Sequence, residues 1–359
     1  VRWPLRRAVE LLDDVVEQDA VRPVRPWMWG PALLGFALAE VERAVGARGY
    51  EAWLRRFADH HLAAGARPVS ADTIAPGLVT TELADTGTRY EEATRRALDA
   101  ILDAPALPGA GPDVSNHLGA STYARFYPPS AWVDSLMMTG VLAAREGARR
   151  GEAALVRHAL AMPGQYAVLL VDRETGLWSH AWWAPGGVGG RAGRRFPRLP
   201  WARGNAWVIA ALPLILEAAD AAGPGEDGER VRAARLLEET SSALAARQRP
   251  DGSWPTLLAA RGGYRELSAT ALIGFGWLRA VRLGLLAETY VAPARRAVAC
   301  AVGAVDRVGG RWSMPEVSGP TIPLPVFPRA GYLAVRPGRD RPWGTAALAL
   351  AAIEDDLLG

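Results

Sequence analysis

Apolar helical stretches recur along this chain, and they limit its fold more than any other feature. They begin near Gly30 (GPALLGFALAEVE), Pro76 (PGLVTTELADT) and Asp134 (DSLMMTGVLAA). They return near Gly204 (GNAWVIAALPLILEA), Ser268 (SATALIGFGWLRAV) and Gly344 (GTAALALAAIEDD). A helix that is apolar all round is buried all round. Between them lie segments with one charged face, such as YEAWLRRFADHHLA, RYEEATRRALDAIL, GERVRAARLLEETSSALAARQ, APARRAVACAVGAV and the stretch 152–170. The two kinds alternate, about six of each, at intervals of roughly 45 to 75 residues. An inner buried ring wrapped by an outer ring showing one face to water satisfies this pattern. The expected fold is therefore an all-α (α/α)6 barrel, a single domain over residues 1–359. A flat helical solenoid is the alternative, but its repeats should be more regular. QYAVLLV (165–171) is the best strand candidate, and it continues a helix equally well.

If the inner helices run parallel, their N-termini crowd one end of the barrel. The residues just before them then meet at a common cavity. Those positions hold Trp27 and Trp29, Asp72, Trp132 with Asp134, Trp201 with Arg203 and Asn205, Glu266, and Arg341 with Trp343. Rings that stack on sugar faces stand there beside carboxylates and an arginine for polar groups. Converging helix N-termini also favour an anion. Each residue alone reads equally well as a cap or a core tryptophan, but that account weakens when six positions share the pattern. Asp134 poses the question most sharply, because aspartate is also a good helix cap. A helix N-terminus would pull its pKa down, while desolvation by Trp132, Met137 and nearby rings, with the like charge of Asp72, is expected to push it up.

The rest of the composition removes other chemistries. All basic residues are arginine, so no lysine can form a Schiff base, hold pyridoxal phosphate or serve a phosphate loop. A net charge of +3, evenly spread, does not argue for nucleic acid. Cys300, the only cysteine, reads as a small buried residue and rules out a disulfide framework or a cysteine zinc site. The five histidines show no metal-ligand spacing, so neither metal nor cofactor is expected. No run of about 20 apolar residues offers a membrane span. The opening VRWPLRRAVELLDD enters an amphipathic helix without the ordered parts of a signal peptide, so a cytoplasmic location is expected.

Several blocks resemble unsaturated rhamnogalacturonyl hydrolases, glycoside hydrolase family 105, and the related unsaturated glucuronyl hydrolases of family 88. They are WVDSLMM, TGLWSHAW (175–182) and WARGNAWVIAAL (201–212), of which WARGNAW is the specific part. DTIAPGLVTTELADTGTRYEEATRRAL (72–98), YRELSATALIGFGWLRAV and RPWGTAALALAAIE resemble further family blocks in order. The resemblance implies an (α/α)6 barrel, a monomer or homodimer, and an oligosaccharide substrate with a 4,5-unsaturated uronic acid at its non-reducing end. It also implies hydration of a vinyl ether: an acid protonates C4, water adds at C5, and the hemiketal opens. By position Asp134 matches the family's general acid/base and Asp72 its second essential aspartate. His180, Arg203, Trp207 and Trp132 match the site histidine, the Arg and Trp of the WARGN block, and the aromatic two residues before the acid. Trp29, Tyr123, Glu266 and Trp343 complete the expected substrate contacts.

There are departures from the family pattern. Where the family has His-Lys before the acid, this chain has Tyr123 and Ala124, with Arg125 adjacent. Trp183 replaces an aspartate after HAW, and Glu-Thr-Ser has become Glu266, Leu267, Ser268. His180 is placed on a loop and given a site role. His117, in SNHLGAS, is a loop histidine for which lining the mouth is the minority reading. GGVGGRAGRR (186–195) reads as a flexible loop over the site. The competing functions are hydrolysis of saturated glycosides or uronides by paired carboxylates, a sugar epimerase, and a non-catalytic carbohydrate-binding relative. Epimerases want paired histidines, and only His180 is well placed. Retention of both Asp72 and Asp134 argues against a non-catalytic protein.

Overall fold

The computed structural model describes residues 2–186, 189–223, 228–259, 263–324 and 326–359. The apolar stretches form α2 (Trp29–Val45), α5 (Gly77–Leu83), α7 (Val141–Arg150), α9 (Ala202–Ala221), α11 (Leu267–Arg282) and α14 (Pro342–Leu357). Each packs on the next, and α14 packs on α2, so the ring closes as the sequence predicts. The amphipathic segments form α1 (Trp3–Val21), α3 (Glu51–Ala63), α6 (Thr88–Leu102), α8 (Ala153–Leu170), α10 (Gly228–Ala245) and α12 (Val291–Gly303), laid against the inner helices. QYAVLL is the end of α8, so helix wins there. By length and hydropathy α9 could cross a bilayer, but its apolar window is 78% buried within the protein.

The far end of the ring shows that the inner helices run the same way. Every one of them sends a charged side chain there, from its C-terminal half or, for α7, from its middle. Arg145 of α7 meets Glu40 of α2 at 3.0 Å and Glu82 of α5 at 3.2 Å. Arg279 of α11 meets Glu217 of α9 at 2.5 Å and Glu354 of α14 at 2.9 Å, and lies 3.9 Å from Glu40. Burial works to raise the Glu40 pKa, yet Arg145, Arg43 and Arg279 outweigh it and hold it near 2.

Strands appear where the sequence offered only loops. Ser130–Trp132 (β1), Ser179–Trp183 (β2) and Arg194–Pro200 (β3) make an antiparallel sheet with β2 in the middle. Arg194 and Arg195 therefore belong to a strand rather than to the end of a flexible loop, while residues 187 and 188 lie outside the described residues. Shorter pieces complete the site end: α4 (Ala71–Ile74), β4 (Val317–Ser318) and α13 (Pro328–Ala334). These pieces are too short to leave a periodic signal.

Candidate active site

The N-terminal ends of the inner helices surround a cavity of about 390 Å³. Trp29, Asp72, Trp132, Asp134, Trp201 and Arg203 line it, with His117 between them. Tyr123 and Phe126 stand at its rim, 70% and 88% exposed. The size falls within the range of small-molecule sites.

Asp134 reaches the cavity because the chain changes structure there. Pro128 and Pro129 end the preceding segment, β1 pairs with β2, and Trp132 faces Ala181 across the ladder. The Val133 N–H then donates to the His180 carbonyl at 2.9 Å, so Asp134 leaves the sheet beside His180. A one-turn π-helix, Leu136–Gly140, follows and leads into α7. The Asp134 carbonyl accepts from the Met137 and Met138 N–H groups, both at 3.0 Å. Among the described residues its carboxylate accepts no backbone N–H, so the side chain is not a helix cap.

Instead the Asp134 carboxylate faces an imidazole. Its Oδ2 lies 3.2 Å from His180 Nε2, without the alignment of a full hydrogen bond, and neither atom has another partner among the described residues. Catalytic contacts often tighten only when substrate binds. His180 is fully buried, against the expectation of a loop histidine, and sits in β2. Its ring stacks on Trp201, centroids 4.3 Å apart, and meets that of Trp132 at a steep angle, centroids 5.3 Å apart. Its Nδ1 is 2.6 Å from the Tyr332 hydroxyl of α13.

Burial alone would raise the Asp134 pKa, as the sequence reading expects. His180, His117 and Arg203 outweigh it, and the carboxyl lies below the usual carboxylate range. Burial holds His180 below the ordinary imidazole value, so at neutral pH its ring is uncharged. The pull of His180 on Asp134 then acts through its ring N–H dipole, beside the Arg203 cation.

Asp72 has a parallel arrangement. It sits in α4, where Ser70 and Thr73 form a reciprocal cap. Its Oδ1 is 3.3 Å from His117 Nε2, and His117 Nδ1 is 2.9 Å from Ser135 Oγ. His117 is buried and lines the cavity beside Asp72, as the minority reading of the sequence had it, though inside rather than at the mouth. Gly119 lets its loop close on Asp72: φ is +50°, and an added Cβ would lie 2.1 Å from the Val69 carbonyl oxygen. The signal missed was the glycine two residues after the histidine.

Arg203 is buried beneath the cavity. Nη1 donates to the Ser318 carbonyl at 3.1 Å and Nη2 to that of Gly319 at 2.8 Å. Its guanidinium carbon lies 4.6 Å from the Trp201 ring centroid. Nε is buried with no partner among the described residues, so a residue that lines the cavity carries an unsatisfied donor.

Three expected contacts take other roles. Glu266 caps α11, accepting from the Ala269 N–H at 2.6 Å, the Ser318 N–H at 2.9 Å and the Ser268 hydroxyl at 2.7 Å. With its oxygens occupied and its side chain fully buried, it is a structural cap 3.9 Å from Arg203 rather than a substrate contact. Trp207 is fully buried one turn into α9 and touches the edge of Trp29 instead of the cavity. Trp343 lies behind Trp29, centroids 4.7 Å apart, with its indole N–H on the Ser318 carbonyl at 3.2 Å. Trp27 also turns away, stacking on Phe57. Tyr332 was not anticipated, since α13 has no periodic neighbour that would place it. Among the described residues no group of three or more His, Cys, Asp or Glu is arranged to hold a metal ion.

A closed (α/α)6 ring with an aromatic cavity, two carboxylate–imidazole pairs and a buried arginine defines a carbohydrate-processing enzyme of the barrel type. The chain belongs to Glycosyl Hydrolase Family 88, whose family model matches residues 7–356. It is 26% identical over 339 residues to the unsaturated rhamnogalacturonyl hydrolase YesR of Bacillus subtilis (strain 168), covering 92% of this chain and 90% of that protein. The structure of a possible GH105 member from Klebsiella pneumoniae superposes with a TM-score of 0.83 at 23% identity, covering 99% of this chain and 93% of that one. Unsaturated glucuronyl hydrolase from Bacillus sp. GL1 gives a TM-score of 0.74 at 15% identity, covering 97% and 95%. At these identities the two structural matches establish the fold. The argument that set the epimerase aside, a single well-placed histidine, does not survive, because His117 and His180 both reach the site. Family membership replaces it: the chain is a glycoside hydrolase.

Proposed function

We propose that this enzyme releases a 4,5-unsaturated uronic acid from the non-reducing end of oligosaccharides left by a polysaccharide lyase. The observation that carries the reading is Asp134: a carboxylate free of any capping role, enclosed by indoles, paired with one histidine and within reach of the Arg203 charge. That setting suits a group that gives a proton and takes one back.

In this reading the uronate carboxylate lies near Arg203, whose free Nε–H contributes to holding it. Asp134 in its acid form delivers a proton to C4, and positive charge develops at C5 and the ring oxygen. Water adds to C5 as the Asp134 carboxylate takes its proton, which restores the acid. The C5 hemiketal opens, leaving a hemiacetal at C1 that collapses and releases the neighbouring sugar with its oxygen intact. Asp72, paired with His117, anchors substrate hydroxyls on the opposite side of Trp132. In the empty site Asp134 is mostly ionised at neutral pH. A bound uronate offsets the pull of Arg203 and adds negative charge, which raises the Asp134 pKa in the complex.

The test is turnover in deuterium oxide on lyase-generated disaccharides from pectin, glycosaminoglycan, ulvan and alginate. Hydration places deuterium at C4 in the first turnovers, faster than exchange into isolated product, while absorbance of the conjugated double bond disappears. Cleavage without early C4 label, or equal cleavage of saturated uronides, would overturn the proposal in favour of ordinary hydrolysis by paired carboxylates.

A further inference from the structure

The group behind His180 comes from outside the barrel helices. Tyr332 lies in α13, 152 residues further along the chain, and packs with Trp201 and Leu257 in a small separate core. Its side chain is 1% exposed, and its hydroxyl meets His180 Nδ1 at 2.6 Å. We infer that Tyr332 is a positioning residue: its O–H donates to His180 Nδ1, fixes the imidazole proton on Nε2, and so keeps an N–H donor facing Asp134.

The direction of that hydrogen bond follows from the other ring nitrogen. Asp134 Oδ2, a carboxylate oxygen that only accepts, lies 3.2 Å from Nε2. The ring hydrogen therefore sits there, and Nδ1 is left to accept from the Tyr332 hydroxyl. Burial, with Tyr127 and Asp134 nearby, pushes the Tyr332 pKa well above the ordinary phenol value, so the oxygen keeps its proton. A neutral imidazole has one donor and one acceptor nitrogen. The opposite tautomer would set a lone pair at Nε2 against a carboxylate oxygen. The stacked Trp201 and the steeply inclined Trp132 hold the ring against rotation.

The tautomer bears on the reaction. A fixed Nε2–H stabilises the carboxylate that forms after Asp134 has given its proton to carbon. It also engages Oδ2, leaving the second oxygen for substrate and water. Other charged or titratable groups facing this pair are His117 from the loop before β1, Arg203 of α9 and Tyr127. Asp72 acts from α4 through His117, and Glu266 and Tyr264 act through Arg203. None of these touches Nδ1, so removing the Tyr332 hydroxyl changes that nitrogen alone.

The kinetic arm rests on the hydration reading; the spectroscopic arm does not. Tyr332→Phe frees the ring proton to move to Nδ1, so Nε2 can accept from a protonated Asp134. The expected result is a fall in kcat of about tenfold to a hundredfold, the scale on which loss of a partner orienting a site imidazole is felt. The descending limb of the kcat–pH profile should move to higher pH, because the acid form of Asp134 is now favoured. An unchanged profile and rate in a folded variant would overturn the assignment. If the variant does not fold, wild-type protein labelled with nitrogen-15 at its five histidines gives the answer without substrate. His180 should appear at neutral pH as the uncharged Nε2–H tautomer. An Nδ1–H tautomer or an imidazolium would overturn the proposal, whatever the enzyme's substrate proves to be.

Discussion

The imidazole of His117 lies flat on the indole of Trp132, with ring centroids 4.5 Å apart and planes 6° from parallel. The same indole meets the His180 ring at a steep angle, with planes 71° apart. One tryptophan therefore separates the Asp72 pair from the Asp134 pair and sets the position of both. Replacing His117 with alanine removes the stack and leaves Asp72 without its partner. The expected outcome is a rise in KM together with a loss of kcat, measured on an unsaturated disaccharide. Activity within twofold of wild type would make His117 a packing residue.

Asp134→Asn keeps the shape of the side chain and removes its acid–base capacity. Turnover should fall by about 10²–10⁴-fold, with thermal unfolding little changed because no cap is lost. A variant that retained most of its turnover would return Asp134 to a local structural role.

The pH dependence follows from the direction of the Asp134 shift. In the free enzyme its pKa is depressed, so the acid form fades as pH rises from below the usual carboxylate range. The profile of kcat/KM, which reports the free enzyme, should decline from acidic pH upward. The descending limb of kcat should lie at higher pH, since a bound uronate raises the same pKa. Coincident limbs would show that substrate charge does not reach Asp134.

Arg203→Lys keeps the charge but loses the planar fork that grips the Ser318 and Gly319 carbonyls. KM should rise more for unsaturated uronides than for neutral aryl glycosides, and Tm should drop. An equal effect on both substrate types would mean that Arg203 serves the fold alone.

At the other end of the ring, Glu40 has its pKa lowered from 4.5 to about 2. Its stabilising effect is complete above the unfolded value and is lost as pH falls from there toward 2. The shift corresponds to about 3 kcal/mol. Glu40→Gln should reduce stability by that order at neutral pH in denaturant titrations, with the gap closing in acid.

The barrel was legible because twelve helices carry strong periodic or all-apolar signals, and only one closed arrangement buries six of them completely. Asp134, Arg203 and Trp132 were legible because each stands at or just before the start of a buried helical stretch. Glu266 and Trp343 stand at equivalent places and still point elsewhere. Whether such a residue faces the cavity or its neighbours depends on which loop covers it, and the loop after Ser318 covers both. His117 and Tyr332 lie on segments with no period, so nothing local tied them to a carboxylate. The ion pairs of Glu40, Glu82, Arg145, Glu217, Arg279 and Glu354 did leave a trace. Each is a charged residue late in a largely apolar run, followed within three positions by a further charge.

Closure of the ring rests on α2 packing against α14, and nearly the whole described chain lies between them. On a ribosome working at about 5–20 residues per second, α2 therefore waits tens of seconds for its second neighbour. Throughout that time an apolar helix meant to be enclosed has one flank open, and non-local closure is itself slow. The nascent barrel is thus a natural client for chaperones, and a stall in translation before α14 would leave a chain prone to aggregate rather than a smaller working enzyme.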